Sequence, residues 1–345
     1  MNINLLDDNQ LAQLRQLIAE SGNVVTIAHK SPDGDALGAS LAWALYLQAM
    51  GKQVTCVVPD AAPDFLKWLP MSHSIVRYDK HTAKAQAALD AADLLCCLDF
   101  NDFSRLGDAQ AAAEGCKARR LLIDHHMYPG VQNALSVSNP AMSSTSEMVF
   151  RLIWQLGGYD AMTRQMAQCI YCGMMTDTGG FTYNSIRPEI FFIVSQLLAK
   201  NIDKDEIYNR VYHNFSADAI KFRAYLIYQK LKVVNELHAA YYTVTKEEMS
   251  RFHFIKGDLE GVVNVPQQIK GLKLSISLRE DTETPNLIRV SLRSCNGFHC
   301  QPMAAQFFNG GGHADASGGK LMCSIEEAEQ VTLRAIMAFK EQLQG

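Results

Sequence analysis

The chain has 345 residues, 48% of them hydrophobic, and a formal net charge of -4 at pH 7. Its length exceeds the size at which one hydrophobic core usually stops growing, so two domains are expected. No run approaches the roughly 18 uninterrupted apolar residues of a membrane span, and no stretch of Lys and Arg stands out for tracking along duplex nucleic acid by many phosphate contacts. The opening "MNINLLDDNQ" lacks the basic and apolar segments of a secretion signal, so a cytoplasmic location is expected. The nine cysteines are an odd count. Cys96, Cys97, Cys169 and Cys172 lie in apolar segments, as buried free thiols do. Cys169 and Cys172 form a C-x-x-C, but no second pair stands at zinc spacing, so helix packing is expected.

From the start to about residue 140, short β-rich runs alternate with helical patterns. "VVTIAH" (24–29) precedes the amphipathic "ALGASLAWALYLQAM"; "QVTCVV" precedes "KAQAALDAA"; "DLLCCLD" (93–99) precedes an alanine-rich segment and then "RRLLID" (119–124). This alternation predicts parallel β-α-β units and a sheet covered on both faces. "SSTSEMVFRLIWQL" reads as a helix with Ser144 and Glu147 spaced as a capping box, and "RQMAQCIYCGMMTDT" as another. Residues 188–232 read as helical and contain no glycine, which suits a connecting arm. Beyond them "HAAYYTVT", "LKLSISLR" and "NLIRVSLRS" alternate like half-buried strands, and a glycine cluster and a helix over about 325–343 complete a smaller α/β unit. The expected class is therefore α/β, with an N-terminal parallel-sheet domain over 1–187, a helical linker over 188–232 and a C-terminal domain over 233–345.

Strand ends carry the informative residues. His29 ends the first strand, Asp99 ends "DLLCCLD", and Asp124 ends "RRLLID", followed directly by His125 and His126. In an open parallel sheet, sites form outside the carboxyl ends of strands. These residues are thus expected on one rim, beside the "HKSPDGDALG" loop with Asp33 and Asp35, and Asp177 adds a carboxylate where an apolar helix stops at "TDTGGF". Singly, each suits a turn or a hydrogen-bonded strand end. Together, carboxylates gathered at one edge would repel one another unless a cation held them. Carboxylate and imidazole without thiolate suit Mn²⁺ or Mg²⁺ better than a structural zinc, although imidazole also accommodates Zn²⁺, Co²⁺ or Fe²⁺. There are ligands enough for two ions sharing a carboxylate, the arrangement that hydrolyses phosphate esters.

Taken in order, "HKSPDGDALG", "CLDFND", "DHH" and "TDTGG" resemble the four motifs of the DHH phosphoesterase superfamily. "VSLRS" followed by "FFNGGGHADASGG" resembles the DHH-associated domain of its oligoribonuclease and pAp phosphatase (nanoRNase) branch. The resemblance covers almost the whole chain. It implies one metal on His29, Asp33 and Asp99, and a second on Asp35, Asp99, His125 and Asp177, with Asp99 bridging. It further implies that Asp124 orients a histidine from behind the ligands and that His126 reaches the scissile phosphate. Ser31 stands where Asn is common in the family, and His299 where many relatives place an acidic residue.

In the C-terminal motif, Gly310, Gly311 and Gly312 are expected to offer backbone N–H groups to an anion, with Arg293 and His313 adding charge-assisted hydrogen bonds to phosphate. The expected function is a Mn²⁺-dependent nucleotide-binding hydrolase with two ions, Mg²⁺ or Co²⁺ being possible substitutes. It would act in a cleft between the domains, and the resemblance implies short oligoribonucleotides, pAp, or linear dinucleotides such as pApA as substrates. The alternatives are a pyrophosphatase or exopolyphosphatase, or a non-catalytic nucleotide-binding protein. A homodimer is implied by resemblance; a membrane or a long duplex is not an expected partner. No Walker A or G-x-G-x-x-G pattern supports an ATP-driven or dinucleotide-cofactor reading.

Overall fold

The computed structural model describes residues 3–132 and 134–345. The chain divides into two compact units, Met1–Asn214 and Phe215–Gly345. The first is built on strands β1 (Asn23–Ala28), β2 (Gln53–Val58), β3 (Val76–Arg77), β4 (Leu94–Leu98), β5 (Arg119–Asp124) and β6 (Ala134–Ser138). All are parallel, in the order β3-β2-β1-β4-β5-β6. The chain leaves β1 toward one edge and returns to β4 on the other side, so β1 and β4 flank the point where strand order reverses. That is where an open α/β sheet leaves a crevice for a ligand.

Alternate residues of the central strands feed two separate cores. Val24, Leu94, Cys96 and Leu98 join one face and Val25, Ile27, Leu95 and Cys97 the other, which explains why β4 is apolar throughout. The covering helices are α1 (Asp8–Ala19), α2 (Gly34–Ala49), α3 (Thr82–Asp90), α4 (Gln110–Gly115), α5 (Thr145–Gln155), α6 (Arg164–Asp177), α7 (Pro188–Leu198) and α8 (Lys204–Tyr212). Their starts are set by capping side chains: Asp7, Asp33, Ser144, Thr163 and Asp203 each accept from an N–H of the first turn of α1, α2, α5, α6 and α8. The Ser144–Glu147 capping box is only half formed. Ser144 Oγ accepts from Glu147 N at 2.9 Å, but the Glu147 carboxylate turns to Ser143 instead.

Two glycines let α2 and α6 touch. A Cβ on Gly38 would lie 2.5 Å from the Cys169 carbonyl oxygen, and one on Gly173 would lie 1.9 Å from Ser146 Oγ and 2.9 Å from Asp35 Oδ1. This contact brings Asp35 and Asp177, on opposite helices, toward one point. Cys169 and Cys172 are buried in α6 as free thiols, in keeping with a packing role.

Residues 188–232, expected as a separate arm, divide between the units. Ile190, Ile193 and Leu197 of α7 and Ile207 and Val211 of α8 complete the first core. Phe222, on α9 (Ala217–Tyr225), and Leu226 pack in the second unit instead. An amphipathic helix buries its apolar stripe on the nearest core, and the segment's apolar residues are too many to remain exposed.

The second unit holds β7 (Lys232–Val234), β8 (Ala239–Val244), β9 (Leu274–Glu280), β10 (Leu287–Ser294), β11 (Gly311–Gly312) and β12 (Ala316–Met322), in the order β11-β12-β10-β9-β8-β7. Only β8 and β9 pair in parallel. Ile276, Leu278, Ile288, Val290 and Leu292 pack against α11 (Gln301–Phe307) and α12 (Ile325–Ala338). Tyr242 and Val244 pack on the other face, with Phe222 and with Met249 of α10 (Lys246–Arg251). The expected closing helix is two pieces, α12 and α13 (Lys340–Gln344), which part at Phe339.

The α2–α6 contact generates a prediction. Gly38→Ala forces a methyl against backbone and should lose about 1–3 kcal/mol; an unchanged denaturation midpoint would show that the helices can part at no cost.

Candidate metal centre

His29, Asp99 and Asp124 all sit at the carboxyl ends of β1, β4 and β5, as the strand pattern predicts. Asp99 takes a left-handed backbone (φ 63°) directly after β4, with its N–H on the Ile123 carbonyl at 3.1 Å. A non-glycine residue in this region is costly and is held there by its surroundings. The result is a buried carboxylate with its two oxygens facing different imidazoles. Asp99 Oδ2 is 3.6 Å from His29 Nε2, and Asp99 Oδ1 is 3.5 Å from His125 Nε2.

Each imidazole is aimed by its far nitrogen. His29 Nδ1 lies 2.9 Å from the Lys30 carbonyl and His125 Nδ1 3.3 Å from the Met142 carbonyl. A carbonyl only accepts, so Nδ1 carries a proton and Nε2 is the atom turned inward, with a lone pair whenever the ring is neutral. Around His29 Nε2 stand Asp99 and Asp33, whose Oδ2 is 3.9 Å away. Around His125 Nε2 stand Asp99, Asp35 Oδ2 at 3.8 Å and Asp177 Oδ2 at 3.5 Å. The ligand-type atoms of His29, Asp33 and Asp99, and those of Asp35, His125 and Asp177, form two groups within 4.8 Å. Asp99, Asp124 and His126 form a third. These separations are longer than hydrogen bonds.

The electrostatics show what the cluster lacks. Burial, then Asp35 and Asp33, push the Asp99 carboxyl well above the usual carboxylate range, and burial likewise raises Asp35. Burial pulls His125 down, but Asp177, Asp99 and Asp35 outweigh it and lift His125 to about 9. Left to protons alone, the site would take them up to offset carboxylate repulsion. Oxygen and imidazole donors arranged as two sets around one shared carboxylate fit two hard divalent cations, which would replace those protons.

Asp124 stands behind this layer, fully buried, with Oδ1 accepting from His126 Nδ1 at 2.7 Å. It therefore orients His126, not His125. Burial would raise Asp124, but the His126 hydrogen bond and charge win and hold it low; burial depresses His126 in spite of that bond.

Sequence reasoning missed the scaffold from residues 142 to 147. Thr145 N and Ser146 N donate to Asp35 Oδ2 and Oδ1 at 2.6 and 2.8 Å, and Thr145 Oγ1 donates to Asp99 Oδ1 at 2.8 Å. Glu147, 0% exposed, ties this turn down. Its Oε2 accepts from Ser143 N and Oγ and from Arg187, and its Oε1 from Arg151, at 2.7–2.8 Å. The signal was the run "SSTSE" before an apolar helix, which reads only as a cap.

In the second unit, Arg293 lies on β10 opposite Ala316, with Nη1 on the Leu292 carbonyl at 2.9 Å. The glycines lie at a hairpin and not in an open loop. Gly310 N–H is spent on the Ala304 carbonyl at 3.1 Å, and Gly311 and Gly312 pair with Gly318 and Ser317 of β12. Backbone geometry requires glycine at two of the three: a Cβ on Gly310 would lie 1.8 Å from the Gly318 carbonyl oxygen, and Gly312 has φ 137°. This hairpin carries His313, whose N–H bonds the Ala316 carbonyl at 2.9 Å. His299 Nδ1 lies 2.8 Å from Asp315 Oδ1, so the imidazole stands against an acidic neighbour.

Residues 23–174 match the DHH family, N-terminal domain, and residues 238–342 match the DHHA1 domain. The bifunctional oligoribonuclease and PAP phosphatase NrnA of Thermus thermophilus is 27% identical over 323 residues, 93% of this chain and 91% of that protein. The crystal structure of an exopolyphosphatase-related protein from Bacteroides fragilis has 43% identity and a TM-score of 0.93, over 98% of each chain. RecJ of Thermus thermophilus, solved in complex with Mn²⁺, shares the fold at 13% identity and a TM-score of 0.57, over 99% of this chain and 56% of that one.

The Glu147 cluster can be tested by itself. Glu147→Ala strands Arg151, buried, and Arg187 without their carboxylate, and should cost about 3–5 kcal/mol in urea denaturation; a loss under about 1 kcal/mol would mean that the cluster anchors nothing.

Proposed function

Because the chain belongs to the DHH family, with a DHH domain followed by a DHHA1 domain, we propose that it is a divalent-metal phosphoesterase that hydrolyses short oligoribonucleotides and pAp-type nucleotides. The observation that carries this reading is Asp99, whose two oxygens face two separately oriented imidazoles. One ion would be held by His29, Asp33 and Asp99, and the other by Asp35, Asp99, His125 and Asp177. Mn²⁺ suits this donor set, with Mg²⁺ or Co²⁺ as alternatives. Bound there, such a pair supplies positive charge to the phosphoryl oxygens and lowers the pKa of an attacking water.

The chain's own groups do the rest. An anionic phosphate beside His126 favours its protonated form, which would donate from Nε2 to a phosphoryl oxygen while Nδ1–H stays on Asp124. In the DHHA1 domain, Arg293 and His313 offer donors to the remainder of the substrate, with Gly310, Gly311 and Gly312 shaping the hairpin that carries His313. The name of the NrnA relative supports oligoribonucleotides and PAP as substrates. The name of the exopolyphosphatase-related relative supports a second reading, polyphosphate.

A panel with Mn²⁺ decides between them: RNA dinucleotide to pentanucleotide, longer RNA, pAp, pApA, pyrophosphate and polyphosphate. Release of mononucleotide or phosphate from the short nucleotides, lost with EDTA, is expected. Turnover of polyphosphate alone would transfer the assignment to the second reading, and no turnover of any substrate would leave a binding protein. Asp99→Ala should abolish turnover while leaving the far-UV circular dichroism unchanged, and near-normal activity would refute the two-ion assignment. Arg293→Ala should raise KM for nucleotides and spare Mn²⁺ binding; release of metal by that variant would refute its placement in substrate binding. Finally, with net charge -4 the chain gains little from distant phosphates, so kcat/KM should fall as RNA lengthens beyond about five nucleotides. Rising efficiency with steep salt dependence would indicate a processive exonuclease.

A further inference from the structure

The two proposed ion positions are built unequally, and the difference traces to one side chain. Of the three carboxylate oxygens around His125 Nε2, two, Asp99 Oδ1 at 3.5 Å and Asp35 Oδ2 at 3.8 Å, are held by Thr145, through Oγ1 at 2.8 Å and N at 2.6 Å; the third is Asp177 Oδ2 at 3.5 Å. Thr145 is wholly buried, and its branched Cβ restricts the rotamer that aims the hydroxyl. Ser146 N takes the other Asp35 oxygen at 2.8 Å, so that carboxylate is fixed at both ends. On the His29 side the matching oxygens are less constrained. Among the described residues nothing donates a hydrogen bond to Asp99 Oδ2, and the Asp33 side chain is 59% exposed, with only its Oδ1 tied to the Asp35 and Ala36 N–H groups.

Resting on the two-ion reading above, we propose that Thr145 is a positioning residue that commits Asp99 Oδ1 and Asp35 Oδ2 to the His125 position, so that this position binds the first divalent ion and the His29 position the second. Ligands already held in place lose less freedom on binding metal than ligands that must be ordered. The exposed Asp33 makes the His29 position the exchangeable one.

Calorimetric titration of the metal-free protein with Mn²⁺ tests this without turnover. The wild type should take up two ions in a tight and a weak phase. Thr145→Val keeps the shape and deletes the hydroxyl donor; it should weaken the tight phase about 10- to 100-fold and leave the weak phase in place. Thr145→Ser, which keeps the hydroxyl, should restore the tight phase to within a few-fold. Asp33→Asn, at an exposed side chain, should remove the weak phase alone. Unchanged affinities in Thr145→Val, an equal fall in both phases, or loss of the tight phase in Asp33→Asn would each overturn the assignment. Two equal phases in the wild type would overturn it while leaving the two-ion reading intact, whereas uptake of fewer than two ions would overturn that reading itself.

Discussion

Repulsion between carboxylates buried at one rim is the constraint around which the first unit is arranged. Asp35 and Asp99 are each no more than 2% exposed, and like charges about 4 Å apart at an effective dielectric constant near 20 repel by roughly 4 kcal/mol. His29 and His125 could offset at most two of the four charges on Asp33, Asp35, Asp99 and Asp177, and only by taking protons. The lift of His125 to about 9 is the mark of that demand. A proton and a metal ion compete for the same Nε2 lone pair, so the field that draws a proton to His125 is also the field that draws a cation.

The fold supplies partial positive charge at the same place. Two helices begin at the rim: α2, capped by Asp33, and α5, whose first N–H groups hold Asp35. The unpaired N–H groups of a helix start carry the positive end of its dipole. The order reversal between β1 and β4 leaves room there, and Gly38 and Gly173 let α2 and α6 approach closely enough for Asp35 and Asp177 to share His125. The loss of stability accepted in crowding carboxylates is thus spread over strand order, helix starts and a glycine contact.

The parallel sheet was legible because its central strands are apolar on both faces and end in chemistry-bearing residues. All six proposed ligand residues, His29, Asp33, Asp35, Asp99, His125 and Asp177, stand in the two clusters. What sequence could not show is support by groups without distinctive chemistry. The Met142 carbonyl, the Thr145 and Ser146 amides and the Thr145 hydroxyl act through position, and any residue has a carbonyl. Glu147 reads as a capping residue because its spacing from Ser144 is right, yet burial beside Arg151 and Arg187 redirects its carboxylate. The edge strand β6 and the two-residue β3 were missed because short strands carry too few alternations to register. The glycine triplet was read as an anion cradle; the hairpin with β12 accounts for two of its members, Gly310 crowded by the Gly318 carbonyl and Gly312 at positive φ, and that needs knowledge of the partner strand.

The placement of cations in the second unit changes how net charge should be weighed. No run of Lys and Arg appears in the sequence because cations are assembled across strands: Arg279, Arg289 and Lys320 stand directly opposite one another on β9, β10 and β12, in the same alternation as Arg293. Like charges so placed repel. Arg289 is relieved by Asp281 and Arg279 by the face of Phe254, its guanidinium 5.4 Å from the ring centroid. Three strands about 4.8 Å apart span roughly 10 Å, which is the reach of a very short chain of phosphates and far less than a nucleic-acid track requires. An overall charge of -4 and a local basic row are therefore compatible, and a row this short suits the short anionic substrates proposed above.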